Sequence, residues 1–548
     1  MVAMHVLSAD EMQACDRATT EQYFLPSIDL MRNAAAAVAA FAREQFPEAR
    51  SVTVLCGKGN NGGDGMMAAR LLSEAGLDVI TLLLGEPEQL KGDAAIAWGE
   101  LTQPMHGRVH VVTNAQELAA HNGALAADLI VDAVLGTGFK PPMKGMALIA
   151  LEWLENCRAP ILAVDLPSGW LADETGATPS GTVFPADSVI TFTAPKPAHV
   201  FGQLTRRWDQ PMVVAPIGSP DDTIRSQLNL DWAGSSLARV QAVRAATANK
   251  GNFGHVLVVG GSFGSAGGKA GAPAMAALAA LRAGAGLVTA AVPTPALTVV
   301  ASFAPELMTW PLKTTDAGQI AAVNLEPDRM AAFTAGKTVL AIGPGLGQSP
   351  ETAKFTMGLL SATKIPAVID ADALNILASD TAQLAELAKG RVIVLTPHPG
   401  EMARLVGRTV AEVQANRLET ARNFAQRMGV TLVLKGARTL IAHPDGRVAV
   451  NTSGNPGMAK GGSGDVLTGL IAGLLAQCPY DPMHAVEAAV YLHGLAADLA
   501  VREADEHTLL ATDSLAYLAR GFRSRAHTFH NGGRKGYVWL QGALHAAD

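Results

Sequence analysis

Cysteine is scarce in this 548-residue chain: Cys15, Cys56, Cys157 and Cys478 lie far apart, with no C-x-x-C pair. That spacing excludes a disulfide scaffold and a thiolate metal site, and free thiols in a cytoplasmic protein are the expectation. Charge is also sparse, at 17% of residues, and aromatic residues reach only 5%. The net charge of −7 leaves no basic footprint for nucleic acid. The N-terminus MVAMHVLSADEMQACDR carries Asp10 and Glu11 and no basic leader, so a secretory signal is not expected. One uncharged run, Ala283 to Pro305, is interrupted by Pro293 and Pro295 and reads as buried strand and turn, not as a membrane span. A Walker loop is missing too: Lys269 follows Gly268, but Phe263 and Ala270 stand where a glycine and a hydroxyl are required. Any nucleotide must be held in another way.

What is present is apolar and glycine-rich, with 49% hydrophobic residues and 55 glycines. Strand-like runs alternate with amphipathic helical runs, the pattern of parallel sheets with crossover helices, so the fold class is α/β. In the first half the strand runs are SVTVLC, DVITLLL, RVHVV, DLIVDAV, PILAVDL and SVITFT; in the second, GHVLVVGG, GLVTAAV, TVLAIGPG, PAVIDAD, RVIVLTP, TLVLKG and TLIAHP. Between the halves, IGSPDDTIRSQLNLDWAGSS loses the strand pattern. The expected division is a domain over 1–222, a linker over 223–235, a second domain over 236–522 and a tail over 523–548, whose Tyr537–Leu540 segment could dock on a neighbour.

The loop CGKGNNGGDG fits a dinucleotide fingerprint through Gly57, Gly59 and Gly62, and Glu86 lies where a ribose-binding acid would stand. Two features argue against a plain nicotinamide cofactor site. Asp64 at the helix N-terminus competes with phosphate for the same amides, and about fifty residues, including a helix-like stretch, precede the first strand. Other strand ends add Asp132 in VDAVLGTGFKPP, and Asp165 and Ser168 in VDLPSGW. Asn61, Asp132 and Ser168 form an oxygen donor set suited to a hard group-one or alkaline-earth cation.

In the second half, NPGMAKGGSGDVLTGLIAGLLA places Gly461, Gly462 and Gly464 ahead of Asp465 and an apolar helix. Amides at that N-terminus form an anion hole, and Asp465 can accept a hydroxyl proton. IGPGLG, VIDADALN, LTPHPGE and LKGARTL bring Gly345, Asp370, Asp372, Asn375, His398, Glu401 and Lys435–Thr439 to strand ends. The glycine-rich turn with its aspartate is the arrangement that sets a nucleophilic hydroxyl against a terminal phosphate.

CGKGNNGGDG, KGDA, DLIVDAVLGTG, VDLPSG and ITFTAPKP together resemble the NAD(P)H-hydrate epimerase domain over residues 1 to 222. The resemblance implies a Rossmann-like three-layer α/β/α domain. It implies substrate contacts at Asn60, Asn61, Gly62, Gly63 and Asp64, and at Gly136, Thr137, Gly138, Phe139, Lys140, Pro141 and Pro142. Potassium ligands fall at Asn61, Asp132 and Ser168, and Asp165 is the catalytic acid/base. The pattern departs at Arg32 and Ala35, where an acid and a glycine are usual. KGNFGHVLVVGGS, LRAGAGLVT, IGPGLG, DADALN, TPHPGE, KGART, NPGMAKGGSGDVLTG and YLHGLAAD resemble the ADP-dependent NAD(P)H-hydrate dehydratases, ribokinase-like in fold, over about 240 to 522. That resemblance implies hydrate contacts at Ala272, Gly345 and His398. It places nucleotide contacts at Lys435, Gly436, Ala437, Arg438, Thr439 and Gly464, and Asp465 as base. ADP with magnesium is the implied co-substrate, and Lys269 is unusual at its position. A homo-oligomer without nucleic-acid or membrane partners is expected. A ribokinase-like kinase fused to a dehydrogenase, and a non-enzymatic binding scaffold, are the competing readings; Asp64 counts against the first, and the retained Asp132 and Asp165 against the second.

Overall fold

The computed structural model describes residues 4–102, 108–264, 267–524 and 536–542. They form two compact units, one of residues 4–230 with the described C-terminal residues, the other of residues 231–524.

In the first unit the chain lays down β1 (Ser51–Cys56), β2 (Asp78–Leu84), β3 (Arg108–Val112), β4 (Leu129–Ala133), β5 (Ile161–Val164), β6 (Ser188–Phe192) and β7 (Met212–Ala215). β4 to β7 are buried along their whole length, as expected of apolar runs covered on both faces. The order β7-β6-β5-β4-β1-β2-β3 is parallel throughout. It reverses between β1 and β4, so the loops leaving these strands diverge and open a crevice at their carboxyl ends.

The second unit contains β8 (Leu230–Trp232), whose first residue belongs to the first unit, and β9 (His255–Val259). A two-residue ribbon follows, β10 (Phe263–Gly264) with β11 (Gly267–Gly268). Then come β12 (Leu287–Pro293), β13 (Met308–Leu312), β14 (Val339–Ile342), β15 (Ala367–Ile369), β16 (Ile393–Leu395), β17 (Thr431–Leu434), β18 (Leu440–Ala442) and β19 (Val448–Val450). The ten-stranded order is β13-β12-β9-β14-β15-β16-β17-β18-β19-β8. It is parallel from β13 to β17, and β17–β18–β19 form an antiparallel meander. Here the order reverses between β9 and β14. The helix Ser463–Gln477 packs against the helix Gly271–Arg282 with almost no side-chain spacer: a Cβ on Gly469 would fall 2.0 Å from the Ala276 carbonyl oxygen.

Two expectations need correction. The segment read as linker contains β8, and Trp232 in it is fully buried, its indole donating to Thr452 Oγ1 at 2.8 Å. The segment read as a tail yields a last strand, β20 (Val538–Gln541), antiparallel to β7 at the edge of the first sheet. Tyr537 and Trp539 stand edge-on to Phe41 with ring centroids 5.4 and 6.2 Å away, and Gln541 donates to Thr205. Among the described residues, no helix is long and apolar enough to cross a membrane.

Candidate functional site

The crevice beside β1 and β4 is a cavity of about 630 Å³. Its wall includes Asn60, Asn61 and Asp64 at the start of the helix Asn60–Glu74, and Gly136 to Phe139 after β4. The fingerprint glycines have another use than cradling phosphate. A Cβ on Gly57 would lie 2.0 Å from the Val134 carbonyl oxygen, and one on Gly62 would lie 1.9 Å from that of Gly57. These positions are consumed by the protein's own backbone as the helix seats on the sheet. Gly63 is likewise filled by Met31, so Gly62 and Gly63 do not line the cavity. Lys140, Pro141 and Pro142 are exposed outside its wall.

Asp165 follows β5 in a left-handed conformation with φ +65°, a costly backbone for an aspartate. Its Oδ1 accepts from Thr191 at 2.8 Å and from the Lys196 ammonium at 2.9 Å; its Oδ2 accepts from the Thr137 N–H at 3.3 Å. Burial alone would raise this carboxyl, but the Lys196 ammonium overrides it and holds Asp165 below its ordinary range. His199 Nδ1 accepts the Lys196 N–H, so its Nε2 carries the proton and donates to the Asp165 carbonyl at 2.7 Å. Burial keeps that imidazole neutral, pushing it down to about 4. Across the cavity the setting is the opposite. Burial and the charges of Asp165, Asp16 and Asp93 push Asp64 well above a normal carboxyl, and burial lifts Asp16 to about 6. One chamber therefore holds a carboxylate held low facing acids pushed up, the division that acid/base chemistry needs. Lys196, Thr191, His199 and Asp16 had no role from the sequence. Lys196 and Thr191 stood inside the quoted ITFTAPKP, whereas Asp16 lies on the N-terminal helix Ala9–Tyr23 with no local signal.

Asp132, at the end of β4, is fully buried. Its oxygens accept from the Ser168 hydroxyl at 2.5 Å, the Ser168 N–H at 2.8 Å and the Val134 N–H at 3.2 Å. Burial raises it to about 6. Asn61 leans on Gly136, whose Cβ would lie 3.3 Å from Asn61 Oδ1, and the amide nitrogen of Asn61 is buried without a hydrogen-bond partner. Asn61, Asp132 and Ser168 thus converge around the loop Val134–Gly136, beside the cavity.

In the second unit the helix Ser463–Gln477 is preceded by Gly462, φ +96°, and has no side-chain cap; the Ser463 N–H reaches the Lys460 carbonyl at 3.5 Å, which leaves the amides at Gly464 and Asp465 for an anion. Gly464 leaves room for the Lys435 ammonium, which would lie 3.3 Å from a Cβ there. That ammonium is bound to Asp370 Oδ1 at 2.9 Å and lies 3.9 Å from Glu401. Thr468, one turn along the helix, donates to Asp370 Oδ2 at 2.7 Å. Burial would raise Asp370, but Lys435 holds it below its ordinary value; Asp465, buried and beside Asp370, is pushed up to about 6. His398 caps the helix Pro399–Val406: its Nδ1 accepts from the Gly400 and Glu401 amides, which leaves Nε2 as the protonated nitrogen, 3.4 Å from Glu401. Gly345 and Ala272 meet across the crevice, a Cβ on Gly345 falling 3.3 Å from that of Ala272. The expected nucleotide loop divides. Lys435 turns to Asp370, Arg438 turns inward to the Thr452 carbonyl, and Thr439 closes the turn on Gly436. Beneath it Arg417 donates to the Ala437 carbonyl at 2.6 Å. Lys269 stands 3.6 Å from Asp372, so the unusual residue is absorbed by an ion pair.

Residues 256–520 match the family described as NAD(P)H-hydrate dehydratase, and residues 27–198 match that described as the YjeF-related protein N-terminus. The chain is 43% identical to the bifunctional NAD(P)H-hydrate repair enzyme Nnr of Moorella thermoacetica, over 94% of this chain and 96% of that protein. It is 37% identical to the protein of the same name from Escherichia coli, over 93% of each. Among solved structures, the ADP/ATP-dependent NAD(P)H-hydrate dehydratase of Bacillus subtilis is 33% identical, with a TM-score of 0.43, covering 52% of this chain and 96% of that one.

Proposed function

The chain belongs to the bifunctional NAD(P)H-hydrate repair enzymes, and from that premise we propose how its two sites divide the work. The protein interconverts the R and S hydrates of NADH and NADPH, and dehydrates the S epimer at the expense of ADP. Epimerisation belongs to the cavity of the first unit. Asp165 moves the proton of the ring hydroxyl as the bond between C6 and the ring nitrogen opens and recloses. Asn60, Asn61, Asp64 and Gly136 to Phe139 hold the damaged dinucleotide against it.

Potassium is the expected ion of that site. The donor set fits: a buried Asp132 charge is met only by N–H and O–H donors, and Asn61 and Ser168 supply neutral oxygens beside it. A single carboxylate among neutral oxygens suits a monovalent cation. When bound, the ion would supply positive charge beside the cavity.

Dehydration belongs to the second unit. Asp465 takes the proton of the C6 hydroxyl, and that oxygen attacks the terminal phosphate of ADP, releasing AMP. The C6–O bond then breaks with loss of phosphate, and loss of a C5 proton restores the ring. Gly464 and the backbone of the Lys435–Thr439 turn are assigned to the nucleotide, which would carry magnesium, and Ala272, Gly345 and His398 to the hydrate. A homo-oligomer in the cytoplasm goes with the same reading.

The observation that carries this division is the pair of carboxylates, Asp165 over the first cavity and Asp465 at an uncapped helix start, one in each unit. Mixed R and S hydrates, given ADP or ATP and followed by NADH absorbance, test it. Both sites working gives complete conversion. Conversion that stops at the S fraction means the first site is silent, and none with either nucleotide overturns the assignment of the second.

A further inference from the structure

Among the residues at the first cavity, Lys196 is the one whose chemistry the proposed reaction leaves unexplained. Its side chain is 2% exposed. An ammonium taken out of water costs several kcal/mol unless its donors are met, and here they are. Nζ reaches Asp165 Oδ1 at 2.9 Å, Thr191 Oγ1 at 2.7 Å and the Phe192 carbonyl at 3.5 Å. Thr191 spends its only proton on the same Asp165 oxygen, at 2.8 Å. Oδ1 is therefore held from two sides, while Oδ2 has a single long bond, 3.3 Å, from the Thr137 N–H at the cavity wall. The backbone of Asp165 is pinned as well, its N–H on Ile190 at 2.8 Å and its carbonyl on His199.

We propose that Lys196 is the positioning residue of epimerisation: with Thr191 it locks Oδ1 of Asp165 and supplies its counter-charge, leaving Oδ2 as the one oxygen that works on substrate. The proposal rests on the assignment of epimerisation to this unit. Oδ2 takes the hydroxyl proton; the O–H electron pair becomes the C6 carbonyl bond, and the pair of the broken C6–N1 bond stays on the ring nitrogen. That nitrogen takes a proton from the wall, where the raised carboxyl of Asp64 stands. Rotation about C5–C6 and the reverse steps give the other epimer. The groups facing Asp165 are Lys196 and His199 beyond β6, Asp64 on the helix Asn60–Glu74 with Asp93 beside it, and Asp16 on the helix Ala9–Tyr23. With the ammonium gone, burial and the neighbouring Asp64 and Asp16 press Asp165 toward protonation.

The test is the pH profile of epimerisation in the full-length protein, started from pure S hydrate without ADP and read by chromatographic separation of the epimers. Wild type is measured first: no epimerisation there overturns the assignment of the unit, and leaves the role of Lys196 without a reaction to serve. With wild type active, Lys196→Met is expected to move the acid limb upward by about one to three pH units. It lowers kcat at pH 7 at least tenfold with KM within about threefold, and Lys196→Arg restores the limb most of the way. A Lys196→Met protein with the wild-type limb and kcat overturns the proposal. So does a KM effect alone. If Lys196→Met loses its folded first unit by calorimetry, Thr191→Val decides: a smaller shift in the same direction supports the lock, and an unmoved limb rejects it.

Discussion

Asp165 and Asp465 sit in opposite electrostatic settings, and the difference dictates separable behaviour. Asp165 is held ionised by a buried ammonium, whereas burial, with the carboxylate of Asp370 adding to it, lifts Asp465 to about 6. Asp165→Asn is expected to lower epimerisation by about 10²–10⁴-fold, the usual worth of a positioned acid/base, with ADP-dependent dehydration of pure S hydrate unchanged. Asp465→Asn should do the reverse. Loss of both activities with either single change would sink the two-site assignment. A base must be ionised to act, so dehydration by wild type is expected to rise with pH through about 6 and level off above it. An acid limb centred near 4 would contradict that. The same group carries a stability consequence. Its folded pKa is raised, so the unfolded chain gives up the proton first, and stability falls as pH climbs from the ordinary carboxyl range through about 6. Asp465→Asn removes that penalty. The inactive variant is expected to melt higher than wild type at pH 7.5 and no higher at pH 4, measured by calorimetry.

At the scale of elements, β20 is the least expected contribution. It caps the β7 edge with Val538, Trp539 and Leu540 buried, and closes over Phe41. Each such side chain buried is worth about 1.5–3 kcal/mol, and a bare edge strand invites association. A chain ending at residue 535 is expected to lower the melting transition of the first unit by roughly 5 °C or more, and to lose epimerisation on warming before dehydration fails. An unchanged transition would show β20 to be ornamental. The main strands were legible because each is a short apolar run ending close to a loop rich in Gly, Asp or Pro, and those loops carried the site residues. β20 was not, because its partner lies more than three hundred residues earlier and nothing local marks the pairing. β7, β13 and β19 also went unread, being short or mixed in pattern. At the site, Asp132, Asp165 and Asp465 announced themselves as acids at strand or helix ends. Lys196 did not, since a lysine in a proline-rich turn looks like any solvated lysine until the fold carries it beneath Asp165. The glycine fingerprint was half right: it pointed to a nicotinamide dinucleotide, which the family handles as damaged substrate and not as hydride carrier, while Gly57 and Gly62 are also demanded by close backbone contact.

For the whole molecule, two compact units carry two chemistries that share one small molecule. The dehydration consumes one epimer, so the epimerisation keeps that epimer supplied. The R fraction is repaired only as fast as it is converted. If the intermediate is released to solvent between the sites, the sites need not be on the same chain. An equimolar mixture of Asp165→Asn and Asp465→Asn proteins, given R and S hydrates with ADP, is then expected to convert everything to the reduced cofactor. Each variant alone stops early: the first when the S fraction is spent, the second before any NADH forms. The rate of the second phase in the mixture should scale with the concentration of the Asp465→Asn partner, since it alone epimerises. A mixture that halts at the S fraction, while wild type runs to completion, would mean the substrate passes between sites without release. Proportional dependence on the partner, followed by NADH absorbance, would instead establish two independent catalysts joined by one chain.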